Sequence, residues 1–180
     1  ITSRGLGDVY KRQFQSMDLM QLCGAIKNKY DDCTALERPQ EILIDVIGLG
    51  SGVVDRLAEQ NLPVRGINVA EAPATKKNYL NLRAELWFSI KDWLAQRDCR
   101  LPNDDELVSE LAAPIYKYTS SGKIKLESKE EMRKRGIKSP DKADALSLTM
   151  ASSAASFSGS MSFMGYNFRQ PLKSKIIRIG

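Results

Sequence analysis

An α/β fold is predicted by two observations. A short apolar strand at residues 41–47 runs through a glycine turn into a helix and then into a second apolar strand at 64–69. Longer segments with apolar residues at helical spacing stand before and after that unit. A strand-helix-strand unit of this kind builds a parallel sheet, and helices with one apolar stripe cover it. At 180 residues and 42% hydrophobic content the chain can bury a real core, and one domain is expected.

Residues 16–32 place Met17, Leu19, Met20, Cys23, Ile26 and Tyr30 at three- and four-residue steps, which predicts an amphipathic helix before the break at Pro39. In the strand at 41–47 the apolar residues Ile42, Leu43, Ile44, Val46 and Ile47 surround Asp45. Gly48, Gly50 and Gly52 supply a tight turn, Ser51 is positioned as a cap, and a helix is expected over 52–60. Asn61 and Pro63 end it before the strand at 64–69. Residues 79–97 form the longest predicted helix, with a core stripe of Leu82, Leu86, Ile90, Trp93 and Leu94. A short helix at 103–111 precedes a hairpin, 115–119 with 123–127, turning at Ser121-Gly122. A charged helix at 129–135 ends at Gly136. Ser139 as cap and Pro140 in the first turn then open a last helix running to about residue 152. Residues 1–13 have no period joining them to the rest and are read as a non-native or disordered arm. Their GLGDVYKRQ resembles translated read-through of library adapter sequence, an ordinary flexible arm being the other reading. The serine-, methionine- and glycine-rich end, with a basic tail over 156–180, is expected to follow a domain spanning 14–155.

Composition excludes several chemistries. The sequence has no histidine, so Ser-His-Asp, Cys-His and histidine-zinc catalysis within it are ruled out. Cys23, Cys33 and Cys99 are odd in number and form no CxxC pair, so neither a disulfide framework nor a zinc site is indicated and a reducing cytoplasm fits. No apolar run approaches the ~18 residues of a membrane span, so a soluble, cytoplasmic protein without a membrane partner is expected. The net charge of +5 is too small to prove a nucleic-acid partner. Its distribution is more telling: residues 145–180 hold no acid, while Arg169, Lys173, Lys175 and Arg178 are basic.

Any active site must therefore use carboxylates, lysines or hydroxyls. A lone carboxylate inside an apolar strand is costly unless a cation or hydrogen bonds compensate it, so Asp45 reads as a metal ligand or as an acceptor for the glycine turn. The glycines are spaced GxGxG rather than GxGxxG, with only Glu71 near the place of the ribose-binding acid, and no Walker lysine follows. Asp141 and Asp144 are three residues apart and share a helix face. Asp141 could simply complement the helix dipole. Asp144, among Ala143, Ala145 and Leu146, should face a packed surface and wants a cation. Asp55 is a weaker candidate, read as structural. Asp45, Asp141 and Asp144 together would form an oxygen-only site suited to Mg2+ or Mn2+. Two such ions roughly 3.5–4 Å apart cleave phosphodiesters, a task needing about three or four carboxylates.

At these segments the chain resembles the nuclease domain of the large terminase subunit of tailed bacteriophages. IDVIGLGSGVVDRLAEQNLPVRGINVAEAP resembles that family's second acidic motif with its helix and strand, and SPDKADALSL resembles its third. The resemblance implies an RNase H-like mixed sheet flanked by helices, here expected to lack the first three strands, the first-strand aspartate and the ATPase domain. It implies a metal-dependent endonuclease of viral genome packaging that acts on double-stranded DNA in the host cytoplasm, alongside a portal protein and a small terminase subunit. By position, Asp45 takes the fourth-strand acid's place, Asp144 the last-helix acid's and Asp141 an assisting ligand's. Arg133, Lys134, Arg135 and Lys138 are expected to contact phosphates, a solvated helix face being the alternative. With one acid lacking, the chain alone is expected to cleave poorly. A resolvase- or integrase-type RNase H-like nuclease, or a non-catalytic portal- or DNA-binding module, are the other readings.

Overall fold

The computed structural model describes residues 2–3, 18–35, 38–74, 78–97, 101, 103–151 and 175–176. In chain order the elements are β1 (Thr2–Ser3), α1 (Leu19–Asp31), β2 (Ile42–Asp45), α2 (Gly50–Glu59), β3 (Val64–Ile67), α3 (Leu82–Ala95), α4 (Asp105–Ala112), β4 (Tyr116–Tyr118), β5 (Ile124–Leu126), α5 (Lys129–Lys134), α6 (Asp141–Leu148) and β6 (Lys175–Ile176). A short 3-10 turn, Thr149–Ala151, extends α6. No helix among the described residues is long and apolar enough to cross a membrane.

The predicted strand-helix-strand unit forms, with β2 and β3 parallel from Ile42 opposite Val64 to Asp45 opposite Ile67. Strand β6 adds parallel to the other side of β2, and β1 adds antiparallel to β6, giving a mixed sheet in the order β1-β6-β2-β3. These two-residue strands fall in the segments where the sequence suggested an arm and a tail; most of both segments lies outside the described residues.

Alternation along β2 divides the core. Ile42 and Ile44 point to one side, where Leu22, Cys23 and Ile26 of α1 and Val53 and Leu57 of α2 cover them. Leu43 points to the other, packing with Ile67, with Leu86 of α3 and with Ala145 and Leu148 of α6. A third cluster, including Trp87, Ile90, Leu107, Leu126 and Leu146, joins α3, α4, α6 and the β4–β5 hairpin. Helix α6 is the most enclosed element, with every residue from Ala143 to Leu148 buried.

Local chemistry sets the helix starts. Asp18 caps α1, and its capping box with Gln21 places the start three residues after the predicted one. Asn81, Asp104 and Ser128 cap α3, α4 and α5 through side-chain oxygens. Two predicted caps are corrected. Ser51 lies inside α2, which begins at Gly50 with no side-chain cap. Ser139 does not cap α6: its hydroxyl donates to Asp141 Oδ1 at 2.7 Å. Glu110 of α4 does so from outside, its Oε2 accepting from the Lys142 and Ala143 backbone N–H groups at 2.6 and 2.9 Å.

Candidate active site

Asp45 is the last residue of β2 and, by alternation, projects to the Leu43 side of the sheet, the side covered by α3 and α6. Its side chain is partly buried, and Oδ1 accepts from the Ile47 backbone N–H at 3.1 Å. The turn that follows is built around this residue. Gly48 has φ 78°, a left-handed conformation that favours glycine. A Cβ on Gly50 would stand 1.8 Å from the Asp45 carbonyl oxygen, so only glycine lets α2 begin so close to the strand end.

Asp144 is buried in α6, and the cation its position calls for is present. The Arg83 guanidinium donates to Asp144 Oδ1 from Nε and Nη2 at 3.3 and 3.2 Å, and the Trp87 indole N–H donates to the same oxygen at 2.9 Å. Lys129 Nζ stands 3.5 Å from Oδ2. Burial pushes the Asp144 carboxyl above the usual range, opposed by the Arg83 charge and the Trp87 and Arg83 hydrogen bonds. Arg83 is itself anchored, with Nη1 donating to the Glu127 carbonyl oxygen at 2.7 Å and the guanidinium 5.8 Å from the Trp87 ring centroid. The backbone N–H of Arg83 donates to the Val69 carbonyl oxygen at 2.9 Å, joining the start of α3 to the exit from β3. Asp141, one turn before Asp144, is partly buried and accepts from Ser139.

Arg83, Trp87 and Lys129 were not singled out from the sequence. The signal was there in part: Arg83 and Trp87 are four residues apart, one turn of α3, so the arginine shares the face of a buried aromatic. An arginine so placed needs an acid. The four basic residues read as phosphate contacts differ among themselves. Arg133, Lys134 and Lys138 are exposed. Arg135 instead forms a two-pronged pair with Glu127, Nε to Oε1 at 2.7 Å and Nη2 to Oε2 at 2.6 Å, and also donates to the Ala113 carbonyl oxygen. The Arg135 hydrogen bonds bring the Glu127 carboxyl down to about 2.

The donors agree with a hard cation in kind, since all are carboxylate oxygens. Among the described residues no group of three or more acidic or cysteine side chains is placed to hold a metal ion, and Asp144 already faces a guanidinium, an indole N–H and an ammonium.

No family model matches the sequence, and no curated protein matches it. Solved structures do. The nuclease domain of the large terminase subunit gp2 of bacterial virus Sf6 is similar at a TM-score of 0.52 and 24% identity, over 62% of this chain and 64% of that one. A lysine-to-alanine mutant of that domain with manganese and beta-thujaplicinol is similar at a TM-score of 0.59 and 22% identity, over 74% of this chain and 73% of that one. The same mutant with manganese alone gives a TM-score of 0.53 and 23% identity over 62% of this chain, which spans 65% of that domain's length. At this identity the likeness establishes fold alone: the mixed sheet flanked by helices is similar to the fold of the Sf6 large-terminase nuclease domain.

Proposed function

We propose that the chain is part of the nuclease domain of a viral large terminase subunit, an endonuclease that hydrolyses phosphodiester bonds in double-stranded DNA during genome packaging. The observation that carries this reading is the placement of Asp45 at the carboxyl end of β2, on the side of the sheet covered by α6 with Asp141 and Asp144, within a fold shared with the Sf6 nuclease domain. Asp45, Asp144 and Asp141 are the proposed site, and Mg2+ or Mn2+ is the proposed cofactor, as manganese accompanies the Sf6 domain. Arg133, Lys134 and Lys138 are proposed to meet DNA phosphates; Arg135 is the weaker candidate because it faces Glu127. The portal protein and small terminase subunit are the proposed partners.

Calorimetric titration of Mn2+ into the chain and into Asp45→Asn and Asp144→Asn tests the site, with supercoiled plasmid as nuclease substrate. Weak Mn2+ binding that both substitutions abolish, with little nicking, is the expected result. A non-catalytic DNA- or portal-binding module is the second reading, favoured by the absence of a group of three metal-ligating side chains among the described residues. Mn2+ binding that is absent, or unchanged by either substitution, would leave that second reading standing.

A further inference from the structure

The β4–β5 hairpin carries a combination of groups that the acids do not use. Tyr116 and Tyr118 are two residues apart and share one face of β4, and they are 50% and 67% exposed. Their rings continue a ladder that begins at Tyr79. Centroids are 5.5 Å apart from Tyr79 to Phe88, 5.3 Å from Phe88 to Tyr116 and 6.0 Å from Tyr116 to Tyr118, the last two contacts edge-to-face. Contacts of this kind are worth about 0.5–1.5 kcal/mol each. Tyr118, at the outer end, has one ring neighbour and an open surface.

The opposite face of the hairpin is basic. The register sets Lys117 directly across from Lys125, and Lys123 is two residues from Lys125 on the same side. Like charges directly opposite each other are destabilising, and residues 114–126 contain no acid. Glu131 approaches Lys117 at 3.8 Å, but the lysine side chain is 71% exposed, so that pair contributes little. Glu131 is also engaged elsewhere, its Oε2 accepting from the Ser128 backbone N–H. The acids Asp92 and Glu85 act on Tyr79, at the inner end of the ladder. Positive charge is thus gathered around the outer end, where Tyr118 and Lys123 flank the turn and one strand could reach both faces.

We infer that this hairpin binds a nucleic-acid strand with unpaired bases, the ammonium groups of Lys117, Lys123 and Lys125 meeting phosphates and the Tyr118 ring stacking on a base. The alternation of exposed aromatics and lysines favours this partner over an apolar peptide, which would leave three cations unmatched. A base presents its open face to a side chain only once it is out of the duplex stack, so the partner is single-stranded. The inference does not depend on cleavage.

Fluorescence anisotropy of a labelled oligothymidylate with the full chain in EDTA, beside a duplex of equal length, reads binding without hydrolysis. Tyr118→Ala is expected to weaken single-strand binding about 5- to 150-fold while leaving the duplex unaffected. Tyr118→Phe, which keeps the ring, is expected to bind as the unchanged chain does. Replacing Lys117, Lys123 and Lys125 with Gln is expected to flatten the slope of log K against log salt by about 2. Lys117, Tyr118 and Lys125 are exposed and Lys123 is half-buried, and circular dichroism would confirm that each variant folds. Failure of the unchanged chain to bind the oligonucleotide, equal losses for single strand and duplex in Tyr118→Ala, or an unchanged salt slope in the lysine variant would each overturn the inference.

Discussion

Asp144 shows how one buried charge can organise a neighbourhood. The Asp144 and Arg83 side chains are 8% and 13% exposed, so removing the arginine would leave a carboxylate in a dry site with Lys129 at 3.5 Å as the nearest remaining cation. Arg83→Ala is expected to cost about 3–5 kcal/mol in urea unfolding, and Arg83→Ala with Asp144→Ala together less than the sum of the two. Glu127 and Arg135 make a second prediction, through pH. The Glu127 carboxyl lies near 2 in the folded chain against an ordinary 4.5, so its stabilisation is present above 4.5 and lost as pH falls toward 2. The urea midpoint should drop more steeply over that interval in the unchanged chain than in Glu127→Gln. Asp144 acts in the opposite sense. Its folded pKa is raised by burial, so its contribution is full in acid and declines as pH rises through the folded value.

Helix α2 contrasts two glycines that look alike in sequence. Gly50→Ala would drive a Cβ into the Asp45 backbone carbonyl at 1.8 Å, which neither strand nor helix can relieve without moving, so a loss of about 2 kcal/mol or more is expected. At Gly52 the added Cβ would meet only the Leu19 Cδ1 atom, at 2.7 Å, the far end of a flexible side chain. Gly52→Ala also gains about 1 kcal/mol of helix propensity, so urea unfolding should find it near neutral. What the sequence made legible at this level follows from period and punctuation. Helix α3 with Leu86 and Ile90 on its buried face, the β2–α2–β3 order and the hairpin turn at Gly122, with φ 76°, were readable, whereas Leu82, Trp93 and Leu94 are only partly buried and Ala84 and Trp87 complete the buried face instead. The start of α6 was not, because its cap comes from Glu110, more than 30 residues away. The strands β1 and β6 were not either: two residues are too few to show alternation, and their pairing is wholly long-range.

For the molecule as a whole, the acids were legible as residue types out of place, Asp45 in an apolar strand and Asp144 among alanine and leucine. Their partners were less so, since Arg83, Trp87 and Lys129 reach Asp144 from 61, 57 and 15 residues away in the chain. The three core clusters also differ in how they are assembled. The one beneath α1 and α2 is drawn entirely from residues 19–64, a continuous stretch, whereas the other two gather residues from 43 onward to the end of the last helix. A cluster closed by short-range contacts can form and open as a unit. Native-state hydrogen exchange is therefore expected to group the amides of α1 and α2 under one opening free energy, distinct from that of α3 and α6. Arg83→Ala should lower only the second. Strand β2, whose Ile42 and Ile44 belong to the first cluster and Leu43 to the second, is then the seam between two cooperative units, and Asp45 sits at the end of that seam, where either unit can loosen without carrying the other along.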